Sequence, residues 1–158
     1  MGKMSTPSFW DGGLRFACTQ CSRCCRHDSG YVFLSAADLR RLSEHLGMPA
    51  RQVIDEYCVW VPFGPDAHLS LAEQANFDCV FWRDGGCSVY HGRPLQCRTY
   101  PFWQTIVDEE AHWREEAAEC PGIGIGPARS PEEIASAVAA RRLAPPLLKS
   151  AVENGALE

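Results

Sequence analysis

The sequence predicts a small α+β fold, with several helices, short β-hairpins and loops organised around cysteine-ligated metal. Three observations carry this. Four cysteines crowd into Cys18-x-x-Cys21-x-x-Cys24-Cys25, and four more, Cys79, Cys87, Cys97 and Cys120, sit in turn-rich segments. Between them, apolar residues at helical spacing alternate with short β-prone runs bounded by glycine and proline. The 158 residues, 46% hydrophobic and 22% charged, fit one globular domain with a modest core of its own.

Residues 1–15 read as an irregular N-terminal arm, 16–126 as the cysteine-cluster domain, and 127–158 as a C-terminal helix and tail. After Gly30, the run Tyr31 to Leu34 suits a strand. Ser35 is an N-cap, with Asp38 three residues on to meet free backbone amides; Leu39, Leu42 and Leu46 follow at helical spacing, and Gly47 and Pro49 end the helix. A second helix is expected from Pro49 to Trp60, because Ile54, Cys58 and Val61 share one helical face. Residues 66–76 read either way.

The segment Cys79 to Tyr90 reads as a hairpin turning at Asp84-Gly85-Gly86. Pro94 to Tyr100 suits a short helix. A second hairpin is expected from Phe102 to Arg114, with its turn at Asp108-Glu109-Glu110, then a flexible loop from Cys120 to Gly126. Ser130-Pro131-Glu132-Glu133 opens a helix reaching Leu143, and the tail beyond Pro145-Pro146 is expected to be peripheral.

Charge and composition exclude several classes. The net charge is −5, which gives no electrostatic grip on nucleic acid, and Arg40-Arg41 and Arg141-Arg142 read as solvated helix faces. No apolar run approaches a membrane span, and Met1 to Pro7 lacks the apolar core of a secretory signal. The expected location is the cytoplasm, where clustered thiols bind metal rather than pair as disulfides. Nine cysteines also cannot all pair.

A C-x-x-C turn points two sulfurs at one metal, helped by amide N–H groups that favour thiolate. The run C-x-x-C-x-x-C adds a third and matches the spacing that wraps a cubane iron–sulfur cluster, although the usual continuation is absent. Neighbouring side chains diverge, so only one of Cys24 and Cys25 is expected at a given ion. Eight thiolates satisfy one or two four-coordinate sites, holding an iron–sulfur cluster, favoured and of [4Fe-4S] type, or zinc. Cys58, on the apolar face of a predicted helix, reads as a core residue. His27 and His91 are lesser ligand candidates. Arg93 and Arg98 can offset thiolate charge or bind an anionic cofactor, and Trp82, Tyr100, Phe102 and Trp103 can shield the site from water.

Taken together, Cys18-x-x-Cys21-x-x-Cys24-Cys25, Cys79-x-Phe81, Cys87-x-x-Tyr90-x-x-Arg93-Pro94-x-x-Cys97-Arg98-x-Tyr100-Pro101-Phe102 and Cys120-Pro121-Gly122 resemble, in order, the YkgJ-type cysteine-cluster family of zinc- or iron-chelating domains. The resemblance spans residues 16–126 and implies metal binding by Cys18, Cys21, Cys24, Cys25, Cys79, Cys87, Cys97 and Cys120. A similar domain occurs in flagellin lysine N-methylases, which implies S-adenosylmethionine-dependent methyl transfer as one possible activity. The expected function is a cysteine-ligated metal centre used in redox or cofactor presentation. The alternatives are group transfer and a zinc-stapled interaction module. A metal ion or cluster is the expected partner; a protein partner stays unidentified.

Overall fold

The computed structural model describes residues 7–157; residues 1–6, the start of the expected N-terminal arm, and residue 158 lie outside them. The fold is α+β. In chain order the elements are β1 (Leu14–Phe16), a 3-10 turn (Arg23–Cys25), α1 (Ala36–Leu46), α2 (Ala50–Tyr57), β2 (Cys58–Phe63), β3 (Asp66–Leu71), β4 (Trp82–Arg83), β5 (Gly86–Cys87), a second 3-10 turn (Tyr90–Gly92), α3 (Leu95–Thr99), α4 (Gln104–Val107), α5 (Glu110–Glu119), β6 (Ile123–Arg129), α6 (Pro131–Leu143) and α7 (Lys149–Glu153). They form two compact units. One holds residues 7–21 and Thr99–Ala140; the other holds Ser22–Arg98 and residues 141–157.

In the larger unit, α1 begins and ends where its signals place it. Ser35 Oγ accepts the Asp38 N–H at 3.1 Å, Asp38 Oδ2 accepts the Ser35 N–H at 3.0 Å, and Gly47 closes the helix at φ 65°. The second helix is shorter than expected. It stops at Tyr57, and Cys58 to Phe63 turns into β2, paired antiparallel with β3 from Cys58↔Leu71 to Phe63↔Asp66. Val59, Trp60 and Val61 suit a strand as well as a helix face, and pairing with β3 decides between them. The run after Gly30 joins β3 through a single Phe33↔Ser70 bridge. The core gathers Leu34, Leu39, Leu42, Val53, Ile54, Leu69, Leu71, Phe81 and Val89.

The C-terminal tail is not peripheral. Leu147 donates to Leu34 O at 2.8 Å and accepts from Leu69 N at 2.9 Å, and Leu147 and Val152 are buried in this core.

In the smaller unit, β1 pairs with β6, so the end of the expected arm, Leu14 and Arg15, and the Ile123 to Gly126 part of the expected loop are strand. The expected hairpin from Phe102 to Arg114 is instead two helices, α4 and α5. Ile106, Val107 and Trp113 are β-prone, but as helix residues they bury together with Phe102 and Ile134 in a second core. Helix α6 starts as expected, with Ser130 and Glu133 bonded reciprocally through side chain and backbone.

Candidate metal centre

Five of the eight expected ligands lie in the larger unit: Cys24, Cys25, Cys79, Cys87 and Cys97. The chain reaches Cys24 and Cys25 through a tight 3-10 turn between two left-handed residues, Ser22 (φ 69°) and His27 (φ 80°). The turn is tied to the next cysteine by its backbone: Cys79 donates its N–H to Cys25 O at 2.7 Å. Arg26 adds a clamp. Its Nε donates to Asp78 Oδ1 at 3.1 Å, and its guanidinium lies 3.8 Å from the centre of the Trp82 ring. Burial pushes the Asp78 carboxyl up, but Arg26 and Asn76 outweigh it and hold the group below the usual range.

Cys79 precedes the β4–β5 hairpin and Cys87 lies in its second strand. The hairpin's Asp84-Gly85 turn takes positive φ at both residues, 51° and 86°, the geometry that suits the twist of a two-residue hairpin loop. Gln74 Nε2 braces the approach by donating to Cys79 O at 3.0 Å and to Trp82 O at 2.9 Å. Both sulfurs receive backbone help two residues on. Burial raises both thiols, while the Phe81 N–H on Cys79 and the Val89 N–H on Cys87 favour the thiolate.

Cys97 rides on α3. The buried carboxylate of Asp38 accepts the Leu95 N–H at 2.7 Å, fixing the first turn of that short helix. Burial raises the Cys97 thiol, the thiolate charges of Cys79, Cys24 and Cys87 raise it further, and Arg93 lowers it. The Cys25 thiol stands far above the ordinary range, through its bond to Cys24, then burial, then the charges of Cys24, Cys97 and Cys79. The five thiols therefore titrate within one another's electrostatic reach.

Cys24 and Cys25 do not diverge as expected; their Sγ atoms are 3.9 Å apart. Two sulfurs bound to one tetrahedral ion at about 2.3 Å stand about 3.8 Å apart. Among the described residues, no three His, Cys, Asp or Glu side chains already stand together as ligands of one ion.

Three arginines border the cluster. Arg93 lies over the Tyr90 ring at 3.8 Å, donates from Nε to Tyr90 O at 2.8 Å, and lowers Cys87 and Cys97. Arg98 donates from Nε to Arg93 O at 3.0 Å and stands 3.9 Å from Asp38. Burial, then Arg41, lower its guanidinium, against the pull of Asp38 and Cys97. Arg141, read from sequence as part of a solvated face, donates to Gln96 Oε1 at 3.3 Å and is lowered by burial against the charges of Cys97 and Asp38. Sequence reasoning also missed Arg26 and the second role of Asp38. No spacing signal marks either residue.

Cys18, Cys21 and Cys120 belong to the smaller unit. Ala17 donates to Gly122 O at 3.1 Å, which brings the backbone beside Cys18 alongside Cys120-Pro121-Gly122. Gly122 is required there, because a Cβ would fall 2.3 Å from Ala17 O. Cys18 and Cys21 are exposed and Cys120 is buried. Burial, then bonds to Glu116 and Cys120, hold the Tyr100 hydroxyl well above its usual range; the Glu116 bond is 2.5 Å. Of the expected shielding residues, Tyr100, Phe102 and Trp103 pack in this unit's aromatic core, and Trp82 lies with the five-thiol cluster. His27 and His91 are exposed. Cys58 opens β2, packed against the larger core, and burial pushes its thiol up to about 12.

Residues 17–121 match the CxxCxxCC family, described as a putative zinc- or iron-chelating domain. The chain belongs to this family. The match takes in all eight expected ligands and excludes Arg141 and the tail that completes the larger core. No solved structure matches the chain. Among the described residues, no helix is long and apolar enough to cross a membrane.

Proposed function

We propose that this CxxCxxCC protein binds one zinc or iron ion in its larger unit, with four sulfurs drawn from Cys24, Cys25, Cys79, Cys87 and Cys97. The observation that carries this is the 3.9 Å Cys24–Cys25 separation, which fits two ligands of one tetrahedral ion. In a cubane cluster each iron takes one cysteine, so adjacent sulfurs at this distance favour a single ion. The amides of Phe81 and Val89 suit thiolates at Cys79 and Cys87. Four thiolates around a divalent ion leave two negative charges, and Arg93, Arg98 and Arg141 border Cys97 to balance them. Zinc supplies a structural cross-link or a Lewis acid, and iron supplies one-electron redox chemistry.

A second reading, the iron–sulfur cluster, is favoured by the Cys18-x-x-Cys21-x-x-Cys24 spacing. The larger unit has an apolar core of its own, so a metal that merely replaces a missing core gains no support. Anaerobic purification, followed by metal and acid-labile sulfide analysis, tests both readings. One zinc or iron per chain without sulfide supports the single-ion centre. Stoichiometric sulfide with broad visible absorption overturns it in favour of the cluster. No metal in the protein, and none taken up on reconstitution, overturns metal binding altogether.

A further inference from the structure

Trp82 presents an anomaly beside the cysteines. Its indole Nε1 is buried and, among the described residues, is the buried side-chain nitrogen or oxygen that lacks a hydrogen-bond partner. A buried N–H left unbonded is costly and rare in folded proteins. The guanidinium of Arg26 covers one face of the ring, 3.8 Å from its centre, and the backbone that carries it is held by the Trp82 N–H bond to Cys79 O at 2.8 Å.

The hairpin ladder shows which residue stands opposite Trp82. Trp82 is directly opposite Cys87 in the β4–β5 register. Directly opposed residues project from the same face of an antiparallel pair, with Cβ atoms about 5 Å apart. The indole and the Cys87 thiol are thus neighbours on one face. A neutral thiol is a weak acceptor, whereas a metal-bound thiolate is a charged one.

We propose that Trp82 is a positioning residue of the metal centre, whose Nε1–H donates to the Cys87 thiolate once the ion is bound. This rests on the single-ion reading above and deepens it. The donor is unused in the thiol state and satisfied in the metal-bound state, so it favours the latter. It joins the Val89 backbone N–H on the same sulfur, giving Cys87 two donors from opposite sides of its chain position. Residues hydrogen-bonded to metal ligands typically change metal affinity by 10–100-fold when removed.

The test uses the full chain labelled with nitrogen-15 at indole and titrated anaerobically with zinc(II). The Trp82 indole proton is expected to shift downfield in step with zinc uptake and to be protected from exchange. Trp82→Phe keeps an aromatic ring under Arg26 and removes the donor. It is expected to bind zinc about tenfold more weakly in competition with a chromophoric chelator, with an unchanged far-ultraviolet spectrum. A wild-type indole proton that stays in place while zinc binds stoichiometrically would overturn the Trp82 role and leave the metal reading intact. So would Trp82→Phe affinity within twofold of wild type. The wild-type titration decides the matter even if that variant fails to fold. Failure of the wild-type chain to take up either zinc(II) or iron(II) under anaerobic conditions overturns both.

Discussion

The carboxylate of Asp38 holds the first turns of two helices. It completes the cap of α1 through Ser35 and accepts the Leu95 N–H at 2.7 Å, two residues before Cys97. A residue in α1 therefore sets the position of a candidate ligand on α3.

Asp38→Ala is expected to lose about 2–4 kcal/mol of stability, from a lost cap and the stranded Leu95 amide. Asp38→Asn, which keeps one acceptor, is expected to lose less. The same order is expected for metal affinity, because Cys97 is released with the helix. Denaturant melts and chelator competition on the two variants check this; equal affinities would separate Asp38 from the site.

Cys97→Ser and Cys58→Ser are expected to behave oppositely. Cys97 shares the charges of Cys79, Cys24 and Cys87, and its loss is expected to lower bound metal per chain. Cys58 answers to burial alone and packs on the core. Its replacement is expected to keep the metal and cost about 1 kcal/mol of stability. Elemental analysis and thermal melts of both proteins read the contrast.

Burial gives the metal-free fold a defined pH response. Cys58 moves from 9.0 to about 12, so the folded state holds its proton more tightly than the unfolded chain. The resulting stability is complete below about pH 9 and is lost as pH rises toward about 12. Cys25, Cys79, Cys87 and Cys97 shift in the same direction and add to the alkaline loss. Melts of metal-free protein from pH 7 upward are expected to show this decline, reduced in Cys58→Ala.

Metal entry reverses that preference, since the ligands must surrender their protons. Binding at neutral pH is expected to release nearly one proton per coordinated thiol, and affinity is expected to fall as the solution is acidified. Calorimetry in buffers of different ionisation enthalpy counts the protons. Zinc binding with no proton release would mean that these thiols are not its ligands.

Gly122→Ala is expected to destabilise the smaller unit by about 2 kcal/mol or more, because its Cβ would meet Ala17 O at 2.3 Å. A lowered melting temperature with metal content unchanged would place the effect in the β1–β6 pairing rather than in the five-thiol cluster.

Legibility followed the range of the interactions. Helix α1, the Asp84-Gly85 turn and the start of α6 depend on signals within four residues, and sequence reading places each one. Helix α2 is overextended because Ile54, Cys58 and Val61 keep helical spacing, and pairing with β3, beyond the Gly64-Pro65 turn, converts the last two into a strand. Ile106, Val107 and Trp113 look like hairpin residues until Ile134 supplies the core that buries them as helices. At the site, count and spacing identify the cysteines. Their division between two units, the reach of Arg141 to Cys97 and the orphaned Trp82 N–H arise only from tertiary structure.

The bonds made by Leu147 bear on how far the cysteine signature can travel. The family match ends at residue 121, yet Leu34 O and Leu69 N find their partners at Leu147, and Val152 is buried in the same core. A fragment trimmed to the matched stretch would keep every candidate ligand while baring main-chain groups and apolar surface in the larger unit's core. Such a fragment would be a poor donor for grafting, and any transplant of this chelating segment into another scaffold would have to bring a substitute for the strap at Leu147.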